Sequence, residues 1–275
     1  EEEPEIVGTK LDIDLSDEDK NQWIFYWAAE ACSQINPDIP DQPAKSYGGE
    51  SNRGLKKTND KGEVTFTLNC PKLYKEDDTL YPRHVHYTTL TDDNVWDEKI
   101  KTLEVLCDIP LDIMKDIINK KNYIVFDALS DESYETQHID GSVLFHHESL
   151  AGHSNRKKKG IIKQRILDNI SSFPAVKEFY EKCDEITELP IIVYCANKEC
   201  NASKRLKDHL FSAGFYNVSE YSGGLKEWFS QKTPLFADAS SDEEEESSNQ
   251  DVSTDTETDP TIKKVKVLKE DHKDE

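Results

Sequence analysis

The chain has 275 residues and a formal net charge of −22, with 56 Asp and Glu against 34 Lys and Arg. Such an acidic surface argues against nucleic-acid binding, which needs Lys and Arg to neutralise phosphates. No run approaches the ~18 apolar residues of a membrane-spanning helix, and the length accommodates two ordinary domains.

Residues 1–18 are acidic, with a frayed end expected over Glu1–Glu5. Asn21 to Glu30 (NQWIFYWAAE) is a dense aromatic run that reads as a strand. A proline-punctuated loop follows from Asn36 to Gly49. Thr58-Asn59-Asp60-Lys61-Gly62 is a turn signal, and Glu63 to Leu68 then alternates with period two. Further strands are expected over His84 to Leu90 and Ile100 to Leu106. Helical periodicity is scarce before residue 107, so 1–106 reads as an antiparallel β-sandwich.

The pattern changes after Asp108. Ile109 to Asn119 reads as a helix, after which strands and helices alternate, as in an α/β fold with a parallel sheet over 107–237. Lys157, Lys158 and Lys159 fall in a long insertion that reads as a solvated loop. Ile191-Ile192-Val193-Tyr194 is a short β-branched run with no polar interruption, the pattern of a central parallel strand. It ends at Cys195. From Ser203 the pattern turns helical, with Leu206, Leu210 and Phe211 on one face and Gly214 as a stop.

A cysteine between a strand end and a helix N-terminus meets backbone N–H donors and the positive end of the helix dipole. That position predicts a lowered pKa and a thiolate nucleophile; the alternative is a buried structural cysteine. Cys200, five residues on, is a candidate to resolve Cys195 as a disulfide. Asn197, Lys198 and Ser203 are the loop residues that would shape the site. The six cysteines, at 32, 70, 107, 183, 195 and 200, make no zinc pattern. Their scatter fits a reducing, cytoplasmic setting better than a disulfide-stapled scaffold, while the start at Glu1 leaves room for a removed targeting segment. Residues 238–275 carry 14 Asp and Glu against five Lys, with no aromatics. This composition predicts a disordered acidic tail that solubilises the chain or tethers a basic protein partner.

The order of motifs carries two resemblances. Ile124-Val125-Phe126-Asp127, Tyr134, His138-Ile139-Asp140-Gly141-Ser142 and the strand ending in Tyr194-Cys195 resemble the rhodanese (sulfurtransferase) family. Gly214-Phe215-Tyr216-Asn217-Val218 and Gly223-Gly224 with Trp228 extend the match over about residues 107–236. The resemblance implies that Cys195 accepts sulfur from a small sulfane-sulfur donor as a persulfide and passes it to a thiol acceptor, without a cofactor. Two features depart from the family, one of them being Ala128-Leu129 after Asp127, where many members have an arginine. Its C-x-x-G-x-R-S loop is two residues longer here, from Cys195 to Ser203, and lacks both the Gly and the Arg.

In the N-terminal half, Trp27, Tyr47, Arg53-Gly54, Thr58, Asp60, Gly62, Phe66, Pro71, Tyr74 and Tyr81-Pro82-Arg83-His84-Val85-His86 resemble the intradiol ring-cleavage dioxygenases. On a strand, His84 and His86 project from one face. The resemblance implies a β-sandwich that holds non-haem Fe(III) through Tyr47, Tyr74, His84 and His86. The family's arginine lies three residues before the first His; here Arg83 is adjacent to it and becomes a substrate-side candidate. The expected activity is sulfur transfer at Cys195, fused to a dioxygenase-like domain. The alternatives are a catechol-type dioxygenase with an accessory rhodanese module, and a catalytically degenerate binding or structural protein.

Overall fold

The computed structural model describes residues 9–16, 18–32, 39–48, 52–183 and 185–230. The Glu1–Glu5 end and the acidic tail at 238–275 lie outside the described residues. The N-terminal half contains β1 (Lys10–Leu15), β2 (Trp23–Ala28), the short helix α1 (Pro43–Ser46), β3 (Arg53–Lys57) and β4 (Val64–Asn69). A hairpin of β5 (Tyr74–Glu76) and β6 (Thr79–Tyr81) follows, then β7 (His84–Thr89) and β8 (Lys101–Glu104).

The acidic opening conceals β1, which sequence reading did not identify. Asp12 and Asp14 face solvent, accepting hydrogen bonds from Thr67 and Thr65 of β4 at 2.6 Å each, while Leu11, Ile13 and Leu15 turn inward. β1 pairs antiparallel with β4, and β3-β2-β7-β8 form a second antiparallel sheet. The inward side chains of both sheets, including Ile13, Ile24, Tyr26, Phe66 and Val85, share one apolar core. Tyr26 and Phe66 stack across it with ring centroids 4.0 Å apart.

The C-terminal half runs α2 (Leu111–Lys120), β9 (Ile124–Asp127), α3 (Asp131–Thr136), β10 (Val143–Leu144) and α4 (Asn155–Asn169). It continues with α5 (Pro174–Tyr180), β11 (Ile191–Tyr194), α6 (Ala202–Ser212), β12 (Val218–Tyr221) and α7 (Gly224–Ser230). The sheet order is β10-β9-β11-β12, with every neighbouring pair parallel. β11 is buried along its whole length, as an uninterrupted apolar strand requires when both faces are covered. Phe126, Ile191, Val193 and Leu206 pack on one face of the sheet. Val125, Ile192, Tyr194 and Trp228 pack on the other, the period-two division that a pleated strand enforces. Among the described residues, no helix is long and apolar enough to cross a membrane.

Lys157, Lys158 and Lys159 lie in the first turns of α4, not in a loop. Ser154 caps that helix by accepting from the Lys157 N–H, and Ile162 and Ile166 bury one face, four residues apart. The high charge of the exposed face masks the periodicity. One pair of the scattered cysteines is bridged: Cys70, just past β4, forms a disulfide with Cys107. These residues are 37 apart in sequence, and only the folding of β5 to β8 between them brings them together. Cys32 packs against the bridge.

Several contacts tie the halves together. Beyond Cys107 the chain runs beside β12, where Glu220 N donates to Cys107 O (2.9 Å) and Ile109 N donates to Glu220 O (2.7 Å). Lys75 pairs with Glu188 at 2.8 Å. Arg83 is 1% exposed and donates from Nη1 to Val218 O and from Nη2 to Asn217 Oδ1, both at 3.1 Å. Its expected place beside a substrate is therefore corrected. Neighbouring residues of an extended strand point to opposite faces, so Arg83 turns away from His84 and His86 and into the junction.

Candidate functional sites

β11 delivers Cys195 to the base of the loop that precedes α6, and there the residue is 2% exposed. Three groups surround its sulfur: Ser203 Oγ at 3.1 Å, Cys200 O at 3.4 Å and Asn197 O at 3.7 Å. Ser203 donates its own proton to Glu220 Oε1 at 2.6 Å, which leaves its oxygen to accept from the thiol. Two of the loop amides are engaged elsewhere. Glu199 N and Cys200 N both donate to Asn197 Oδ1 at 3.1 Å. The sulfur thus faces two carbonyls and the Ser203 hydroxyl, with the Ser203 backbone N–H as its one amide donor, where a ring of N–H donors was expected.

Burial pushes the Cys195 thiol up to about 11; hydrogen bonding to Ser203 pulls the other way, and Cys200 adds to the rise. The expected low pKa and standing thiolate are therefore corrected. Inside the lengthened loop, desolvation and inward carbonyls favour the neutral thiol over the anion. Asn197 orders the loop, Lys198 is exposed, and Cys200 is a half-buried free thiol. On the other side α7 closes the site, with Leu225 N and Lys226 N donating to the carbonyls of Cys195 (3.1 Å) and Ala196 (2.9 Å). Gly224, at φ +59°, comes so close that an added Cβ would lie 2.2 Å from Cys195 O. Only glycine fits that approach.

Glu220 was not singled out in the sequence. Its signal was faint: a single carboxylate in Val218-Ser219-Glu220-Tyr221, a strand buried at every position. A buried acid on such a strand must find a hydrogen-bonding partner, and Ser203 supplies one.

The second site lies on the N-terminal half. Tyr47, in the residue that ends α1, and Tyr74, which opens β5, both direct their hydroxyls at His84 Nε2, at 3.0 and 3.2 Å. His84 Nδ1 is 2.7 Å from Pro82 O, so it carries the proton and Nε2 presents a lone pair. His86 Nδ1 is held by Thr102 Oγ1 at 2.9 Å, and the two imidazole centroids are 4.7 Å apart. The four side chains named from the motif order converge. Burial pushes both tyrosine hydroxyls up, with Tyr74 adding to the effect on Tyr47. Burial also holds His84 below its usual range and, with His84 contributing, brings His86 down to about 4. Both imidazoles are therefore neutral at pH 7, the form that ligates.

A four-stranded parallel sheet that presents a cysteine at the end of a central strand, just before a helix, defines the C-terminal half as an α/β domain built around one thiol. It is a rhodanese-like domain: residues 111–231 match the family model of that description. No curated protein matches the chain. Among solved structures, the human single-domain sulfurtransferase TSTD1 is 15% identical, with 46% of this chain and 97% of that chain covered at a TM-score of 0.31. The Saccharomyces cerevisiae single-domain sulfurtransferase RDL2 is also 15% identical, covering 48% and 94% at a TM-score of 0.34. An intradiol ring-cleavage dioxygenase from Tetranychus urticae is 21% identical, with a TM-score of 0.26. That match takes in 37% of this chain and 54% of the dioxygenase, about half its length.

Proposed function

We propose that the protein is a sulfurtransferase-type enzyme acting through a persulfide on Cys195. The observation that carries this reading is the chain from Cys195 Sγ to Ser203 Oγ to Glu220 Oε1, at 3.1 and 2.6 Å. It gives a buried neutral thiol a route for its proton. The thiol proton passes to Ser203 as the Ser203 proton passes to Glu220, leaving a thiolate and a carboxylic acid. The thiolate attacks the outer sulfur of a small sulfane donor. A new S–S bond forms as the donor's bond to that sulfur breaks, and the electron pair leaves with the donor remnant. A thiolate acceptor then takes the outer sulfur and returns Cys195 as thiolate. Where no acceptor arrives, Cys200 can displace the outer sulfur as hydrosulfide and leave a Cys195–Cys200 disulfide. Incubation with thiosulfate should add the mass of one sulfur atom to the peptide containing Cys195, and Cys195→Ser should add none. Equal loading of Cys183 or Cys32 would sink the assignment.

A second reading concerns the N-terminal half, whose two facing sheets support a β-sandwich with an Fe(III) site at Tyr47, Tyr74, His84 and His86. The convergence of two phenol oxygens and two neutral imidazoles favours it, because hard anionic oxygen donors stabilise the ferric state. A bound ferric ion would ionise both phenols and supply Lewis acidity toward a catechol-type substrate. The residues themselves hold the geometry: Pro82 O and Thr102 Oγ1 orient the two rings. Reconstitution with Fe(III) should give a visible tyrosinate charge-transfer colour, and His84→Ala or Tyr74→Phe should remove both colour and iron. A reconstituted protein that stays colourless would leave this half as a metal-free sheet domain.

A further inference from the structure

We propose that His146, His147 and Glu148 form a binding site for a divalent transition ion of the zinc type, on the rim of a cavity beside α6. Among the described residues, these three offer ligand atoms that all lie within 4.8 Å of one another. They sit where the chain leaves β10 and enters a short 3-10 turn, His147–Leu150, with His146 as its N-cap.

The strongest observation is at His147. Its backbone N–H and its ring Nδ1 both point at Ala128 O, at 3.3 and 3.0 Å. Nδ1 is therefore the protonated nitrogen, and Nε2 presents its lone pair away from the sheet. An imidazole with one nitrogen fixed by a carbonyl and the other free is the arrangement found in metal-binding histidines, because the outer hydrogen bond fixes tautomer and ring orientation together. The His146 ring stands nearly perpendicular to it, with centroids 5.0 Å apart.

A tetrahedral zinc with bonds of ~2.0–2.2 Å brings ligand atoms to about 3.4 Å from one another, so the three must draw together by roughly an ångström. His146 is half-buried and Glu148 exposed, so both side chains can make that adjustment while His147 stays anchored. Two imidazole nitrogens and one carboxylate oxygen are a borderline donor set that suits zinc better than calcium or magnesium. His147 and Glu148 also line a cavity of about 470 Å³ together with Arg205, Asp208 and His209 of α6. Three ligands on a cavity rim leave a fourth position for water or an anion, and Arg205 in the same lining gives such an anion a partner. This site uses none of the residues assigned to sulfur transfer or to iron, and it stands whether or not either reading holds.

The test is zinc binding by the full chain after chelator treatment, measured by competition with a chromophoric chelator and repeated with Co²⁺. The parent, Cys195→Ser and His86→Ala should each bind one Zn²⁺ at this site. His146→Ala and Glu148→Gln, both changes at accessible side chains, should each weaken it about tenfold or more. Co²⁺ should give ligand-field absorption without a thiolate charge-transfer band, and that absorption should vanish in His146→Ala. Unchanged zinc affinity in both His146→Ala and Glu148→Gln, or a thiolate band that disappears with Cys195→Ser, would overturn the assignment. A parent protein that binds no zinc would overturn it equally.

Discussion

Glu220→Gln is expected to slow sulfur loading of Cys195 about a hundredfold or more at pH 7, the scale of a lost proton acceptor. The argument starts from the thiol's burial, which pushes it up to about 11. At pH 7 a group with that pKa is thiolate in only about one molecule in ten thousand. Reaction at neutral pH then depends on proton removal as the sulfur attacks, and Ser203 with Glu220 is the path that the hydrogen bonds provide. The sign follows for the pH profile. With the relay intact, the rate should change little between about pH 6.5 and 9. Without it, hydroxide must form the thiolate, and the Glu220→Gln rate should climb about tenfold per pH unit until it meets the parent. Ser203→Ala should behave in the same way. Single-turnover loading followed by mass spectrometry reads both profiles. A Glu220→Gln protein that loads faster than the parent would mean that Glu220 is only a nearby negative charge opposing the thiolate. Parallel profiles with a tenfold rise per unit in both proteins would rule out the relay.

The second large effect is expected from the Cys70–Cys107 disulfide. Its loop spans 37 residues, and in the chain-entropy account a loop of that size contributes about 4 kcal/mol by restricting the unfolded chain. For a folded region of this size each kcal/mol moves the thermal midpoint by roughly 2–4 °C. Replacing both cysteines by alanine, or adding reductant, should therefore lower the midpoint by roughly 8–16 °C. A thiol titration of the denatured, unreduced protein should find the four cysteines outside the bridge, Cys32, Cys183, Cys195 and Cys200. Six reactive thiols, together with a midpoint that does not respond to reductant, would mean that the pair is unbonded in solution. The bridge closes where the N-terminal half hands over to the C-terminal half, so its loss should also loosen the hydrogen bonds of Cys107 and Ile109 to β12.

Much of the architecture is local and was readable residue by residue. The aromatic run at Trp23–Ala28, the alternation over Val64–Asn69 and the apolar Ile191–Tyr194 each became strands within a residue or two of the expected bounds. Gly214 ends the helix after Cys195 at φ +86°, as a glycine stop should. Period-two and 3.6-residue patterns record which side of a segment is buried, and consecutive side chains suffice to show it. β1 escaped because its outward aspartates dominate the composition, although its inward Leu11, Ile13 and Leu15 keep the period. α4 escaped because only Ile162 and Ile166 are buried among its many charges.

The site chemistry was legible only in part. Order along the chain placed Cys195 at a strand end and named Tyr47, Tyr74, His84 and His86, which the fold brings together. The partners of those residues had to come from the tertiary structure. Whether Cys195 meets amides or carbonyls depends on the path of a nine-residue loop, and that path gave the Asn197 and Cys200 carbonyls to the sulfur and the Glu199 and Cys200 amides to Asn197. Glu220 reaches Ser203 across 17 residues of chain, Arg83 reaches Asn217 across 134, and Cys70 reaches Cys107 across 37. Periodicity says that a side chain is inside, but hydrogen bonds and desolvation act between neighbours in space. Arg83 met its neighbour through the packing of the N-terminal half against β12, Cys70 met Cys107 through the folding of β5 to β8, and Glu220 met Ser203 through the packing of α6 on the parallel sheet.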